Sequence, residues 1–249
     1  MLHPGGRRAW HLDMQPDTSA IPIDPCKHCG TDAPVDVHVC PRCDRILTLG
    51  RHGDYFTFFG LRRRLRLDVK DLEQRFRALS RLFHPDYFHN ASPTERLASL
   101  ERSSYLNDAF RTLRDPMDRL EYLLKLEGFT PKESRDATTA VPQGLLEDVF
   151  ALNEELEAIQ EMRHEGAPAD AVEERLDAAR RPIEMNLAEH ERQLDALMAT
   201  HDERLEAGDA EGRRGALTAL RTLLLERTYL TNLLANVRRQ LEGKEVAQL

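Results

Sequence analysis

The sequence predicts an all-α protein: a helical hairpin and a C-terminal antiparallel three-helix bundle, preceded by a small zinc-ribbon-like N-terminal module. Three observations predict it. Val69, Leu72, Phe76, Leu79 and Phe83 are spaced 3, 4, 3 and 4 residues apart, the apolar stripe of a single helix. Residues 143–246 carry helical periodicity almost without a break. All four cysteines fall between residues 21 and 50, as Cys26-x-x-Cys29 and Cys40-x-x-Cys43.

Each element has its own start and stop signals. Asp68 stands where the hairpin's first helix needs an N-cap, and Pro85 ends the pattern just past Phe83. The second helix opens on Ser92-Pro93-Thr94-Glu95, with proline in the first turn, and repeats Leu106, Ala109, Phe110 and Leu113. Asp115-Pro116 closes it, and a shorter helix through Leu120, Leu123 and Leu124 ends at Gly128. Beyond a Pro-, Thr- and Ser-containing connector at 130–142, three helices are expected: Leu145 to Arg163, Ala169 to Ala207 and Ala210 to Leu241. Gly166-Ala167-Pro168 and Gly208-Asp209 supply the turns, and Pro182 should kink or break the middle helix. Short connections between long amphipathic helices make an antiparallel bundle.

Of the 249 residues, 41% are hydrophobic and 31% charged, enough apolar material for real cores. No apolar run reaches the length of about eighteen residues that a membrane helix needs. Residues 1–20 mix Arg7, Arg8, Asp13 and Asp17 with no apolar stretch, so neither a secretory signal nor fixed structure is expected there. The composition reads as intracellular, with no membrane partner. Residues 1–142 hold 22 Lys and Arg against 20 Asp and Glu; residues 143–249 hold 13 against 23. An acidic C-terminal half would repel a phosphate backbone, which disfavours nucleic acid as a partner.

The cysteines form the most specific chemical signal. Each CxxC pair can bind one metal from a tight turn, and the two pairs together complete a closed tetrahedral thiolate site. Gly30 follows the second cysteine, where such a turn needs positive φ. Structural zinc is the expected ion, although an all-sulfur site can also hold iron. His28 and His38 then read as spectators, since Cys26, Cys29, Cys40 and Cys43 already satisfy the metal. The module of residues 21–50 is expected to fold only with its metal. Its basic residues, Lys27, Arg42 and Arg45, are offset by Asp24, Asp32, Asp36 and Asp44, so a nucleic-acid surface is not visible.

His84-Pro85-Asp86 could be ordinary punctuation after a helix. Its setting sharpens it, because the preceding helix carries Lys70, Arg75, Arg77 and Arg81 away from the apolar face. A rigid polar loop beside a cationic helix is a docking surface for an acidic partner. Catalytic signatures are missing: there is no GxxxxGK[ST], HExxH or GxSxG and no Gly-rich dinucleotide fingerprint. His190 and His201 are too far apart along a helix to share one metal and read as surface residues.

In these features the sequence resembles the J-domain co-chaperones, and within them the HscB family. The resemblance rests on Asp54-Tyr55-Phe56-x-x-Phe59-Gly60-Leu61, His84-Pro85-Asp86-x-Phe88 and Leu106-Asn107-x-Ala109-Phe110-x-x-Leu113. It makes residues 54–128 a J-domain. Arg119-x-Glu121-Tyr122-Leu123-Leu124 and Phe150-x-Leu152-x-Glu154-Glu155-Leu156 are similar to HscB in particular. The cysteine module is similar to the N-terminal extension of some members. What the resemblance implies is a protein that hydrolyses nothing itself and stimulates the ATPase of a DnaK/HscA-class chaperone through His84, Pro85 and Asp86. The basic residues Lys70, Arg75, Arg77 and Arg81 would add affinity.

The resemblance further implies that residues 143–246 hold an IscU-type iron–sulfur scaffold through Leu146, Phe150, Glu154 and Tyr229. The family commonly has methionine at the position of Glu147 and acids at Ala151 and Ala158, so a different client is the alternative. A zinc-dependent nucleic-acid binder is the more distant one. Leu146 and Phe150, four apart on one helix, could equally be bundle core. The compartment implied is the bacterial cytoplasm, or the mitochondrial matrix in a eukaryote.

Overall fold

A computed structural model describes residues 23–34, 37–47, 53–129 and 145–241. The expectations for residues 1–20 and for the connector at 130–142 lie outside the described residues. The chain divides into two compact units. One holds the described residues up to Arg63 together with Leu67–Arg119; the other holds Arg64–Arg66 and the described residues from Leu120 onward.

The first unit opens with a two-stranded antiparallel sheet, β1 (Ile23–Pro25) against β2 (Asp32–Pro34), in the register Ile23↔Pro34, Asp24↔Ala33 and Pro25↔Asp32. A single bridge joins Val39 to Ile46. Buried Cys26, Ala33, Cys40 and Leu47 make the small core of this module, with Val37, Cys29 and Cys43 against it.

A short helix α1 (Tyr55–Phe58) follows, capped by the Asp54 carboxylate, which accepts from the Thr57 amide at 2.9 Å. The hairpin consists of α2 (Val69–Phe83) and α3 (Pro93–Arg114). Asp68 caps α2, accepting from the Lys70 amide at 2.8 Å, and Ser92 with Glu95 forms a reciprocal capping box on α3. Between the helices lies a 3-10 turn, Pro85–Phe88. Leu72, Leu79 and Phe83 from α2 and Leu106, Ala109 and Leu113 from α3 are buried. Phe76 stacks on Phe110 with ring centroids 4.4 Å apart. Val69, expected on the apolar stripe, is 38% exposed, since it sits on the opening turn of α2 where the stripe meets solvent.

Helix α4 (Pro116–Leu126) follows the hairpin, and its Leu120, Leu123 and Leu124 are buried. The second unit contains the antiparallel three-helix bundle: α5 (Leu146–His164), α6 (Ala169–Glu206) and α7 (Ala210–Leu241). Leu145, Val149, Leu152, Leu156 and Ile159 pack with Val172, Leu176 and Ile183 of α6 and with Leu230, Leu234 and Val237 of α7. Helix α6 continues through Pro182 rather than breaking there. The packing of long flanking segments offsets the lost amide, a cost of about 3 kcal/mol in an isolated helix. Asp209 caps α7 by accepting from the Gly212 amide at 2.8 Å. No helix among the described residues is long and apolar enough to cross a membrane.

Two further expectations are corrected. His201 is buried, not at the surface, and its Nδ1 lies 2.9 Å from Asp202. His190 is half-buried, with Nε2 3.0 Å from Glu226 and Nδ1 2.8 Å from the Asn186 carbonyl. Each ring has a polar partner, and a paired histidine is cheaper to bury than a lone one.

Candidate functional site

Two knuckles of the same geometry present the cysteines. In the first, the Gly30 amide donates to the Cys26 carbonyl at 2.8 Å and the Cys26 amide to the Thr31 carbonyl at 2.9 Å. In the second, the Asp44 amide donates to the Cys40 carbonyl at 3.0 Å and the Cys40 amide to the Arg45 carbonyl at 2.9 Å. Gly30 has φ 70°, as expected, and its counterpart Asp44 has φ 55°. Asp44 is the one non-glycine residue at positive φ among the described residues, a conformation that aspartate tolerates better than most.

The four sulfurs lie within 4.8 Å of one another. Cys26 Sγ is 3.8 Å from Cys43 Sγ, and Cys29 Sγ is 3.6 Å from Cys40 Sγ. Metal–sulfur bonds of about 2.3 Å in a tetrahedron place neighbouring sulfurs about 3.8 Å apart, so the donor set fits one tetrahedral ion. The thiols are not electrostatically equivalent. The Thr31 hydroxyl and amide hold Cys29 down at about 6. Cys43 receives the Arg45 amide, yet burial and the three neighbouring sulfurs push it up to about 12. A bound cation is what allows four crowded thiolates to coexist.

His38 is not a fifth donor. Its Nε2 donates to the Phe58 carbonyl at 3.0 Å, and its Nδ1 accepts from the Arg102 guanidinium at 2.9 Å. A carbonyl can only accept and a guanidinium can only donate, which fixes the neutral tautomer. The imidazole meets Phe58 and Phe83 edge-on, with centroids 4.8 and 5.1 Å away. Arg102, only 1% exposed, also donates through Nε to the Leu47 carbonyl at 3.1 Å and lies 5.2 Å from the Phe83 ring centre. The module is thereby docked on α3 around a buried arginine. Sequence reasoning missed this contact. The one available signal was an arginine interrupting the small-residue face of α3 at Ser99, Arg102 and Ser103.

The loop after α2 is held from below and open above. Ser99 and Ser103 both donate from α3 to the Phe83 carbonyl, at 2.6 and 3.1 Å. His84 Nδ1 accepts from the Asp86 amide at 3.3 Å, and the Tyr87 amide donates to the His84 carbonyl at 3.0 Å. Phe88 is the buried anchor, while the side chains of His84 and Asp86 are 51% and 85% exposed.

Lys70, Arg77 and Arg81 lie along one outer face of α2, Arg77 paired with Glu73 at 3.4 Å. Arg75 does not join them. Its guanidinium turns inward to Asp71 at 2.8 Å and to the carbonyls of Phe59 and Gly60 at 3.2 and 3.3 Å.

On the bundle, Phe150 is 65% exposed, Leu146 37%, and Glu154 is also exposed. The three recur every four residues on the outer face of α5, whose inner face buries Val149, Leu152 and Leu156. Tyr229 stands apart from them in character: it is half-buried against the bundle core, and burial pushes its phenol up. Beside this face, Ala151 and Pro182 help line an apolar cavity of about 210 Å³ floored by Leu152, Ile183, Leu230 and Leu233.

No family model matches the chain. Its structure is similar to the crystal structure of human co-chaperone protein HscB, with a TM-score of 0.58 and 24% identity, covering 87% of this chain and 98% of that one. It also aligns with chaperone HscB from Vibrio cholerae at a TM-score of 0.49 and 28% identity, covering 76% of this chain and 98% of that one. The fold is that of human HscB, with a group of four cysteines near the N-terminus.

Proposed function

We propose that this chain is a J-type co-chaperone of iron–sulfur cluster assembly. In this reading it stimulates ATP hydrolysis by a DnaK/HscA-class chaperone and presents an IscU-type scaffold held on its bundle. The observation that carries the reading is the His84-Pro85-Asp86 loop: two exposed polar side chains on a turn fixed beneath by Phe88 and by the clamped Phe83 carbonyl. Such a loop offers a partner a preorganised polar contact and costs it little ordering entropy.

Each part has a defined task. His84, Pro85 and Asp86 couple docking to hydrolysis on the partner. Lys70, Arg77 and Arg81 give on-rate and affinity toward an acidic surface. Arg75 braces the α1–α2 junction from within. Leu146, Phe150 and Glu154 receive the scaffold, and Tyr229 supports that end of the bundle. Zinc is the ion assigned to Cys26, Cys29, Cys40 and Cys43, because a closed four-sulfur tetrahedron leaves no position for substrate and suits a structural role.

The test is single-turnover hydrolysis by the ATP-loaded chaperone with and without this protein. Stimulation that His84→Gln abolishes, with an unchanged melting curve, is expected. Retained stimulation by that variant overturns the assignment of the loop.

A further inference from the structure

Resting on the co-chaperone reading above, we infer that His38 of the cysteine module is a positioning residue for the His84-Pro85-Asp86 loop, acting through Phe83. Phe83 is the residue immediately before His84 and is itself fully buried. Five groups hold it. The Ser99 and Ser103 hydroxyls fix its carbonyl at 2.6 and 3.1 Å, the Arg102 guanidinium lies 5.2 Å from its ring centre, the His38 imidazole meets the ring edge-on at 5.1 Å, and the Phe58 ring of α1 lies tilted at 6.0 Å. Three come from α3 and one from α1. The fifth, His38, comes from a module some forty residues upstream in sequence, so the loop's base is not completed by the helical hairpin alone.

The same imidazole orients one of the other four. With Nδ1 accepting from Arg102 and Nε2 donating to Phe58, His38 pins the guanidinium against Phe83 from one side while the Leu47 carbonyl holds it from the other. One residue, Val39, separates His38 from Cys40, whose amide and carbonyl belong to the second knuckle. The ring is therefore placed by the knuckle geometry. A side chain that both packs on Phe83 and aims Arg102 at it restricts the residue from which the loop departs. Loss of this contact leaves the loop attached but free to sample other orientations, which lowers coupling more than docking.

The experiment compares four full-length proteins with verified metal content: wild type, His38→Ala, His38→Asn and Ile46→Ala. Asparagine places an acceptor near the position of Nδ1, so Arg102 keeps its partner and the fold survives while the ring contact with Phe83 is lost. Ile46→Ala weakens the module elsewhere and controls for general destabilisation. Hydrogen exchange at the Tyr87 amide and chaperone stimulation are both read, the latter split into its maximum and its half-saturating concentration.

His38→Asn is expected to speed Tyr87 exchange and lower maximal stimulation, each by about tenfold, with a half-saturating concentration within about twofold of wild type. Ile46→Ala should change neither. Wild-type behaviour of both His38 variants overturns the inference, as does an equal loss in Ile46→Ala. If wild type itself does not stimulate, the co-chaperone reading fails, and Tyr87 exchange alone decides whether His38 positions the loop.

Discussion

The carboxylate of Asp202 accepts the backbone amide of Leu65 at 2.8 Å, although 137 positions separate the two residues. Its second oxygen accepts the Arg66 amide at 2.8 Å, and His201 Nδ1 lies 2.9 Å from the first. This buried aspartate organises the Arg64–Arg66 segment within the second unit, a role that no periodicity could announce.

Asp202→Ala is expected to destabilise that unit by about 2–4 kcal/mol, because a buried amide and a buried imidazole both lose their partner. Denaturant unfolding followed by circular dichroism measures it. Burial pushes the Asp202 carboxyl up, but His201 and the two amides outweigh burial and hold it below the ordinary value. A depressed folded-state value means stability present at neutral pH and lost as the carboxylate protonates. Wild type should therefore weaken below about pH 4, with Asp202→Ala showing a shallower acid limb.

Metal content offers a second check. One ion per chain is expected, and cobalt replacement should give the intense thiolate charge-transfer absorption of a tetrahedral sulfur site. Cys40→Ser should abolish stoichiometric binding. It should also lower the melting temperature of the hairpin, because Arg102 is buried against Leu47 of the same module. An unchanged hairpin would mean that the module can detach without exposing that arginine's cost.

The basic helix separates into two kinds of arginine. Arg81→Glu should raise the half-saturating concentration for chaperone stimulation by about tenfold, an effect that fades with salt, and leave unfolding unchanged. Arg75→Ala should instead cost about 1–3 kcal/mol of stability, through the unpaired Phe59 and Gly60 carbonyls and the lost ion pair with Asp71. Salt titration of both variants distinguishes these outcomes.

On the bundle, Phe150→Ala and Leu152→Ala should part company. Phe150 is exposed, so its truncation should move stability by less than about 0.5 kcal/mol and weaken scaffold binding at least about tenfold. Leu152 is buried, so its truncation should cost about 2–5 kcal/mol. Isothermal titration with an IscU-type scaffold measures the first. Absent binding, in a protein that still stimulates the chaperone, would point to a different client permitted by Glu147, Ala151 and Ala158.

Much of the helical layout was legible because its signals are local. Asp68, Ser92 with Glu95, and Gly166 act within one turn of the boundary they set. The pairing of the cysteines into two knuckles was legible for the same reason, since each CxxC closes over four residues. What the sequence hid is long-range or depends on side-chain direction. The His38–Arg102 bond spans 64 positions. Arg75 and Arg77 look alike in one dimension, yet differ by two steps of about 100° around α2, which turns one inward and leaves the other in water. Leu146 and Phe150 were ambiguous because helical spacing alone gives no sense of inside, and only the packing of Val149, Leu152 and Leu156 settles their exposure.

The Leu47 carbonyl that receives Arg102 precedes it by 55 positions. On a translating ribosome this sets a schedule. Both knuckles precede α3 in the order of synthesis, so an ion held by the four cysteines could be in place before the arginine reaches its acceptor. Metal scarcity at that moment would strand the nascent hairpin with a charged side chain and nowhere to put it, so newly made chains, more than mature ones, would register the supply of the ion.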